Sequence, residues 1–308
     1  MDREELFAKE PFRFIFSLIS CVLWGSAFPV LKISYAELNF AAGDVLGRVA
    51  LGGIRFFLAS ILLFLFTLFI EKQSLKIGRK NILILAVLGI FQTGVMYILF
   101  YNGVANTTGM KSSIIAALET FFTILLAHWV YENDKIDKNK AIGIVLGFTG
   151  IVLSNWGQGF SGDFSFWGEG LLMISSVIGA VSSIFVKKLS ESIHPFVLTS
   201  YQMFFGAILM LIISFGRITR EGLSFTPLAG GLLIYSVFLS AISFALWYML
   251  LKYNKAGEIS IFRFIIPVSG AVLSALFIPG EKLTFMLIMA LLLVSLGIIA
   301  VNRQNNKG

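Results

Sequence analysis

The sequence is poor in charge and in the residues that metal sites and disulfides require. Of its 308 residues, 13% are charged, two are histidine and one is cysteine, whereas soluble domains hold about 25% charged residues. Cys21 alone cannot form an internal disulfide, and His128 and His194 lack the cysteine or carboxylate pattern of a zinc site. No glycine-rich phosphate loop occurs, which argues against an ATP-driven pump unless a separate subunit supplies the motor. We therefore expect no metal and no other cofactor.

Apolar residues, in contrast, are abundant. They make up 57% of the chain, and the mean hydropathy is +0.88. One soluble core could not hide so much apolar surface, so lipid must be the solvent. Runs of about 20 apolar residues, long enough to cross a hydrocarbon core, recur ten times. We place them near residues 13–34, 49–70, 82–104, 109–130, 138–156, 167–188, 196–216, 228–253, 257–278 and 283–302. We predict an all-α integral membrane protein with ten transmembrane helices and no cleavable signal peptide.

Positive charges are distributed unevenly among the gaps between these runs. The net charge is +7. Lysine and arginine lie mainly before span 1, in the gaps after spans 2, 4, 6 and 8, and after span 10, whereas the gap after span 5 has none. This alternation is typical of loops that face an anionic cytosolic leaflet. It predicts a multi-pass protein with both termini in the cytoplasm, and it argues against nucleic-acid binding.

The chain also repeats itself. The segment 106–112 (NTTGMKS) matches 254–260 (NKAGEIS), 56–59 (FFLA) echoes 204–207 (FFGA), and 150–155 parallels 297–302. These echoes keep their order, which gives two halves, 13–156 and 167–302. Five spans per half is an odd number, so the second half must be inverted relative to the first. Inverted repeats are common in secondary transporters, where substrate lies near the midplane between the halves.

Several short motifs then resemble one family. The residues 24–28 (WGSAF) followed by Lys32 resemble the first-helix signature of the EamA-type drug/metabolite transporters, and Arg55-Phe56 resembles the start of their second helix. The segments 266–268 (IPV) and 280–284 (GEKLT) resemble the end of their second repeat. The resemblance implies two EamA-like five-helix repeats, an inverted five-plus-five fold and a cavity that opens alternately to each side. It also implies a bacterial inner membrane, and export of amino acids, related metabolites or toxic compounds.

Glu119 is the first candidate site residue. It lies about ten residues into span 4, near the bilayer centre, where a charge is costly unless it faces a cavity or a partner. Helical spacing puts Ser112, Glu119 and Thr123 on one small, polar stripe. Glu119 could bind a substrate ammonium or carry a coupling proton. The alternative is a permanent structural ion pair with Arg263 or Arg55.

Arg263 in span 9 is the second candidate. Its planar fork of donors could hold a substrate carboxylate, and with Glu119 it would form a site that reads both ends of an amino acid. The alternative is that Arg263 lies near the cytosolic end and snorkels to the membrane surface. Trp24, Tyr101 and Trp247 are the aromatic residues that we assign to the cavity, where their rings could clasp a cation or an apolar substrate body.

Helix-weakening residues mark possible hinges. Gly25 and Pro29 in span 1 and Pro267 in span 9 are the candidates, since proline removes a backbone hydrogen bond; rigid, kinked helices are the alternative. Arg55 and Lys32 are interpreted as structural or interfacial.

The combined prediction is a secondary transporter that moves an amino acid or a related zwitterion or cation, in the direction of export, by alternating access, with Glu119 as the candidate proton-coupling residue. A transporter of larger polar solutes such as nucleotide sugars stays open. A membrane-embedded enzyme is a weaker alternative, because the acidic segment 133–137 (NDKID) lacks the third acid of a prenyltransferase motif and reads better as a solvated loop. A channel would need a filter sequence that we do not find. The expected partners are the substrate, the bilayer and protons, and both a monomer and a homodimer are compatible with the sequence.

Overall fold

The computed structural model describes residues 3–41, 43–106, 115–154, 164–278 and 285–302. A short helix, Arg3–Ala8, precedes ten helical segments that we number α1 to α10. These are α1 Phe12–Glu37; α2 Val45–Phe69; α3 Arg79–Gly89 continued through Ile90–Val95 and Met96–Ala105; α4 Leu118–Val130; α5 Lys138–Ser154; α6 Phe166–Gly170 continued by Leu171–Leu189; α7 Pro195–Glu221; α8 Pro227–Tyr253; α9 Ala256–Ser260 continued through Ile261–Phe264 and Ile265–Phe277; and α10 Phe285–Asn302.

The helices have the lengths and composition of membrane spans. In the described ranges, seven helices are long and apolar enough to cross a bilayer, and α4 and part of α10 are shorter apolar helices. Each of the ten segments overlaps one of the ten predicted spans, so the ten-helix count is compatible with the structure. Large apolar side chains such as Leu65, Ile212 and Leu292 are exposed on the outside. The prediction of an all-α membrane protein is confirmed.

Polar side chains lie inside this bundle. Ser20, Thr67 and Ser240 are buried, and each donates its hydroxyl to the carbonyl four residues earlier. Because that bond satisfies the hydroxyl within its own helix, small polar residues can line helix interfaces without a second partner. The arrangement explains why the helices tolerate so many serines at positions away from lipid.

Packing between the halves follows a twofold pattern. Helix α2 packs on α7 and α5 on α10, while α1 packs on α8 and α9, and α6 packs on α3 and α4. Exchanging each helix with the one five places away leaves this set of contacts unchanged. At the start of α2, Asp44 forms an ion pair with Arg217 near the end of α7, so these two equivalent helices run antiparallel. This is the packing that an inverted repeat predicts; the limits 13–156 and 167–302 of the halves stay a prediction.

The helices of the bundle begin at two opposite faces. The odd-numbered helices begin at what we call the amino-terminal face, and the even-numbered helices begin at the opposite face. At the amino-terminal face, Asp134 in the α4–α5 loop pairs with Lys140 (2.5 Å) and accepts a hydrogen bond from the Gly257 N–H at the start of α9 (2.8 Å). Asp134 is only 1% exposed. The expectation of a solvated acidic loop was therefore wrong at Asp134, because this carboxylate is buried and connects the α4–α5 loop to the start of α9.

Candidate substrate cavity

A cavity of about 1080 Å³, including the volume that opens to solvent, lies between α1, α2, α3, α4, α6, α8 and α9. Aromatic rings form much of the wall, and seven polar side chains face the same space. The polar residues are Arg55, Gln92, Glu119, Thr120, Ser175, Ser176 and Arg263.

An ion pair between Glu119 and Arg263 links the two halves at this cavity. The Arg263 Nη1 donates to Glu119 Oε1. Below them, the Arg263 guanidinium lies 4.8 Å from the Trp247 ring centroid and 5.5 Å from that of Trp24, which are distances typical of cation–π contacts. The side chains of Arg263 and Glu119 are 9% and 21% exposed. Arg263 therefore points into the bundle rather than snorkelling to the membrane surface.

Close packing holds the Glu119 carboxylate in place. Gly179 of α6 lies directly beside it, because a Cβ placed on Gly179 would fall 2.5 Å from Glu119 Cδ and 2.7 Å from Oε1. Any larger side chain at position 179 would have to displace the carboxylate. A glycine that looks like ordinary helix packing in the sequence thus shapes the ion-pair site.

The other predicted binding residues fall into three groups. Trp24 and Tyr101 line the cavity. Trp247 is fully buried under Arg263, and Thr123 is buried one turn below Glu119, with its hydroxyl bonded to the Glu119 carbonyl (2.7 Å). These two residues support the site and are not among its lining residues. Ser112 lies outside the described residues.

The predicted hinge residues lie close together. A Cβ on Gly25 would approach Gly270 N and Ile266 O to 2.9 Å and would overlap Ser269 Oγ. Gly25 is therefore a point of close contact between α1 and α9, which run side by side. Pro29 is buried in α1, and Pro267 lines the cavity. Their role as hinges stays a prediction.

Arg55 is the site residue that sequence reasoning missed. We interpreted it as structural or interfacial, but its side chain lines the cavity and the residue is 3% exposed. Its Nε donates to Ser240 Oγ of α8 at 2.6 Å. The signal was available, since a charge within an apolar run is costly unless it faces a cavity or a partner. We applied that argument to Glu119 and not to Arg55.

Comparisons with known proteins agree with this architecture. The model of the EamA-like transporter family matches residues 12–156 and 166–303. The chain is 27% identical to the uncharacterized transporter YvbV of Bacillus subtilis (strain 168), over 92% of this chain and 89% of that protein. It is 26% identical to an uncharacterized transporter of Archaeoglobus fulgidus, over 95% of this chain and 99% of the other. A solved crystal structure superposes with a TM-score of 0.75 at 13% identity, covering 96% of this chain and 98% of that one. With both halves matched by the family model, the chain belongs to the EamA-like transporter family.

Proposed function

We propose that this protein is a secondary transporter that exports an amino acid or a closely related zwitterion by alternating access, with proton coupling at Glu119. The observation that carries the proposal is the Glu119–Arg263 pair. One partner belongs to each predicted half, and both face a central cavity.

The pair offers a physical route to alternating access. Two opposite charges in a low-dielectric site are held firmly while they are paired, and separating them leaves each one poorly solvated. A substrate ammonium can replace Arg263 at Glu119, and a proton can neutralise Glu119 outright. Either event removes the attraction between the halves, which then rock so that access switches sides. Substrate and proton thus act on the same contact, which is the requirement for coupling them.

The test begins with a thermal-stability screen of the purified protein at pH 5.5 and pH 8. The panel holds the amino acids, putrescine, tetramethylammonium and UDP-glucose, because any ligand that binds the folded state raises its apparent stability. Each stabilising compound is then loaded in radiolabelled form into proteoliposomes, and its flux is measured with and without a pH gradient. Glu119→Gln is compared with Glu132→Gln, a control at an exposed loop carboxylate.

We expect an amino-acid hit whose transport, or whose dependence on pH, is abolished by Glu119→Gln and retained by Glu132→Gln. Wild-type transport by Glu119→Gln at every pH would refute the coupling role. Stabilisation by UDP-glucose alone, equal in both proteins, would favour the nucleotide-sugar alternative and leave the ion pair with a structural role.

We further propose that the amino-terminal face is cytoplasmic and that the protein lies in the bacterial inner membrane. The exposed Lys72 and Lys138 lie at this face, as the positive-inside rule requires. Cys21 is buried, so single cysteines added at exposed sites report on topology. A membrane-impermeant maleimide applied to whole cells should label Ser224→Cys at the opposite face and leave Ser74→Cys unlabelled. The reverse pattern would invert the proposed orientation.

A further inference from the structure

We infer that Arg55 is the anion anchor of the cavity, and that the transported solute must carry a carboxylate. The inference rests on the proposed transport function and narrows its substrate class. It also moves the carboxylate-binding role from Arg263, where the sequence suggested it, to an arginine in α2.

Arg263 already has a carboxylate partner. It pairs with Glu119 and lies over the rings of Trp24 and Trp247, although its Nε has no hydrogen-bond partner within the described ranges. Arg55 has no carboxylate partner: in the part of the chain that the structure describes, no carboxylate forms an ion pair with it, its Nε donates to the neutral Ser240 hydroxyl, and its guanidinium lies 5.2 Å from the Phe56 ring centroid. A guanidinium carries five N–H donors in a planar fork that matches a carboxylate. Arg55 therefore brings unused donors and an unbalanced charge to the cavity wall.

Four polar atoms on residues that line the cavity are buried without a hydrogen-bond partner within the described ranges. They are Trp24 Nε1, Arg263 Nε, Tyr101 Oη and Gln92 Oε1. Tyr101 is next to Arg55, since its hydroxyl would lie 3.3 Å from a Cβ on Gly52, one helical turn before Arg55. Leaving such groups unsatisfied in a buried position is unfavourable. A bound solute that accepts from Arg55 and Tyr101 and donates to Gln92 would satisfy two of these atoms.

The charge of the cavity selects the class of solute. Its described lining residues include two arginines and one carboxylate, so one positive charge remains after Glu119 and Arg263 have paired. A cation without a carboxylate would add to that excess in a low-dielectric site. A zwitterion adds no net charge, and it can place its carboxylate on Arg55 and its ammonium toward Glu119, so that each of its charges faces an opposite charge. The inference therefore excludes polyamines and quaternary amines as substrates.

The test compares amino acids with their own decarboxylated amines in the thermal-stability screen: leucine with 3-methylbutylamine, phenylalanine with phenethylamine and lysine with cadaverine. Aminomethylphosphonate is added to distinguish a carboxylate site from a general anion site. The variant is Arg55→Met. The control is Arg48→Met, which removes a different arginine from the same helix; Arg48 is buried and donates to the Ala41 carbonyl.

We expect amino acids to stabilise the wild type and the matched amines to have no effect. Arg55→Met should weaken amino-acid binding by about 10- to 100-fold, the loss typical of a charged hydrogen bond, while Arg48→Met keeps wild-type affinity. In the absence of ligand, Arg55→Met should be at least as stable as the wild type, because it removes a buried charge that no carboxylate balances. A structural arginine would behave in the opposite way.

Each contrary result has a distinct meaning. Equal stabilisation by the amines, or unchanged amino-acid affinity in Arg55→Met, would overturn the inference and leave the transport proposal standing. Binding of aminomethylphosphonate in preference to every amino acid would overturn the carboxylate assignment. A panel with no amino-acid ligand at all would overturn the proposed function and this inference together. If Arg55→Met does not fold, Arg55→Lys carries the test, since it keeps the charge and loses the planar fork.

Discussion

Glu119→Gln removes one half of the ion pair to Arg263 while it keeps the size of the side chain. The arginine that remains is 9% exposed and cannot lose its proton, and among the described residues it retains the rings of Trp24 and Trp247 as its contacts. Arg263→Gln leaves Glu119 instead, in a more open position and able to take up a proton. The two single variants remove the same contact, yet they should not be equally destabilised.

The expected magnitudes follow from this asymmetry. Breaking a fully buried pair costs about 3–5 kcal/mol. This pair is only partly buried, since the Glu119 side chain is 21% exposed, so we expect Glu119→Gln to lose about 2–3 kcal/mol. We expect Arg263→Gln to lose about 1–2 kcal/mol, because the Glu119 carboxylate left behind is in a more open position, 21% exposed. The double variant leaves no unpaired charge and should fall within about 1 kcal/mol of the wild type.

The assay is reversible unfolding in mixed micelles, with tryptophan fluorescence as the signal, at pH 5.5 and pH 8. The four proteins form a double-mutant cycle, which isolates the coupling between the two residues. Additive losses in the double variant would refute the pairing. A larger loss of stability for Arg263→Gln than for Glu119→Gln would refute the argument that an unpaired Arg263 guanidinium is more destabilising than an unpaired Glu119 carboxylate.

Three further predictions concern the packing around the site and the opposite face. Gly179→Ala should displace the Glu119 carboxylate and lower stability by about 1–3 kcal/mol, because its Cβ would lie 2.5 Å from the carboxyl carbon. Gly25→Ala should force α1 and α9 apart with a loss in the same range, measured by the same unfolding assay. For Asp44, burial raises the pKa, but the hydrogen bonds of Arg217 and of the Gly47 N–H outweigh it and lower the pKa. The pair therefore stabilises the fold above the unfolded-state pKa, and this stabilisation is lost as the pH falls through the folded-state pKa. Asp44→Asn should cost about 1–2 kcal/mol at pH 7 and progressively less as the pH is lowered through that range.

Matched controls separate packing from helix propensity. Gly216→Ala in α7 and Gly230→Ala in α8 add a methyl group with nothing within 4 Å, so both should be neutral or stabilising by up to about 1 kcal/mol. Equal effects of alanine at positions 179 and 216 would contradict the predicted clash. A stability difference between wild type and Asp44→Asn that does not change with pH would contradict the role given to the carboxylate.

Much of the fold could be read from local patterns. Run length and apolar content depend only on neighbouring residues, and in lipid they select helices, because every backbone group must find its partner within the segment. The echo between Phe56–Ala59 and Phe204–Ala207 indicated that α2 and α7 are equivalent helices of the two predicted halves; their packing on each other is a finding of the structure. Buried charge was also visible, since Glu119 and Arg263 stand inside apolar runs.

Helical periodicity could not predict which residues contact each other between helices. It assigns each side chain to one face of its own helix, but it cannot say which helix covers that face. Asp134 looked like part of a solvated loop because its neighbours are charged, yet its carboxylate lies under the start of α9, 123 residues later in the chain. Arg55 was interpreted as structural or interfacial, and only the approach of α8 and α3 makes it part of a cavity wall.

The sequence by itself determined that this chain is an all-α membrane protein with charges inside the bundle, because the free energy of placing apolar and charged groups in lipid depends on each segment alone. It also predicted ten helices in two related halves. The tertiary structure decided which charges meet. Glu119 and Arg263 are 144 positions apart, and their contact exists because close approaches such as Gly25 on α9 and Gly179 beside Glu119 set the spacing of the helices. That same packing leaves Arg55 in the cavity with no carboxylate among the described residues to balance it.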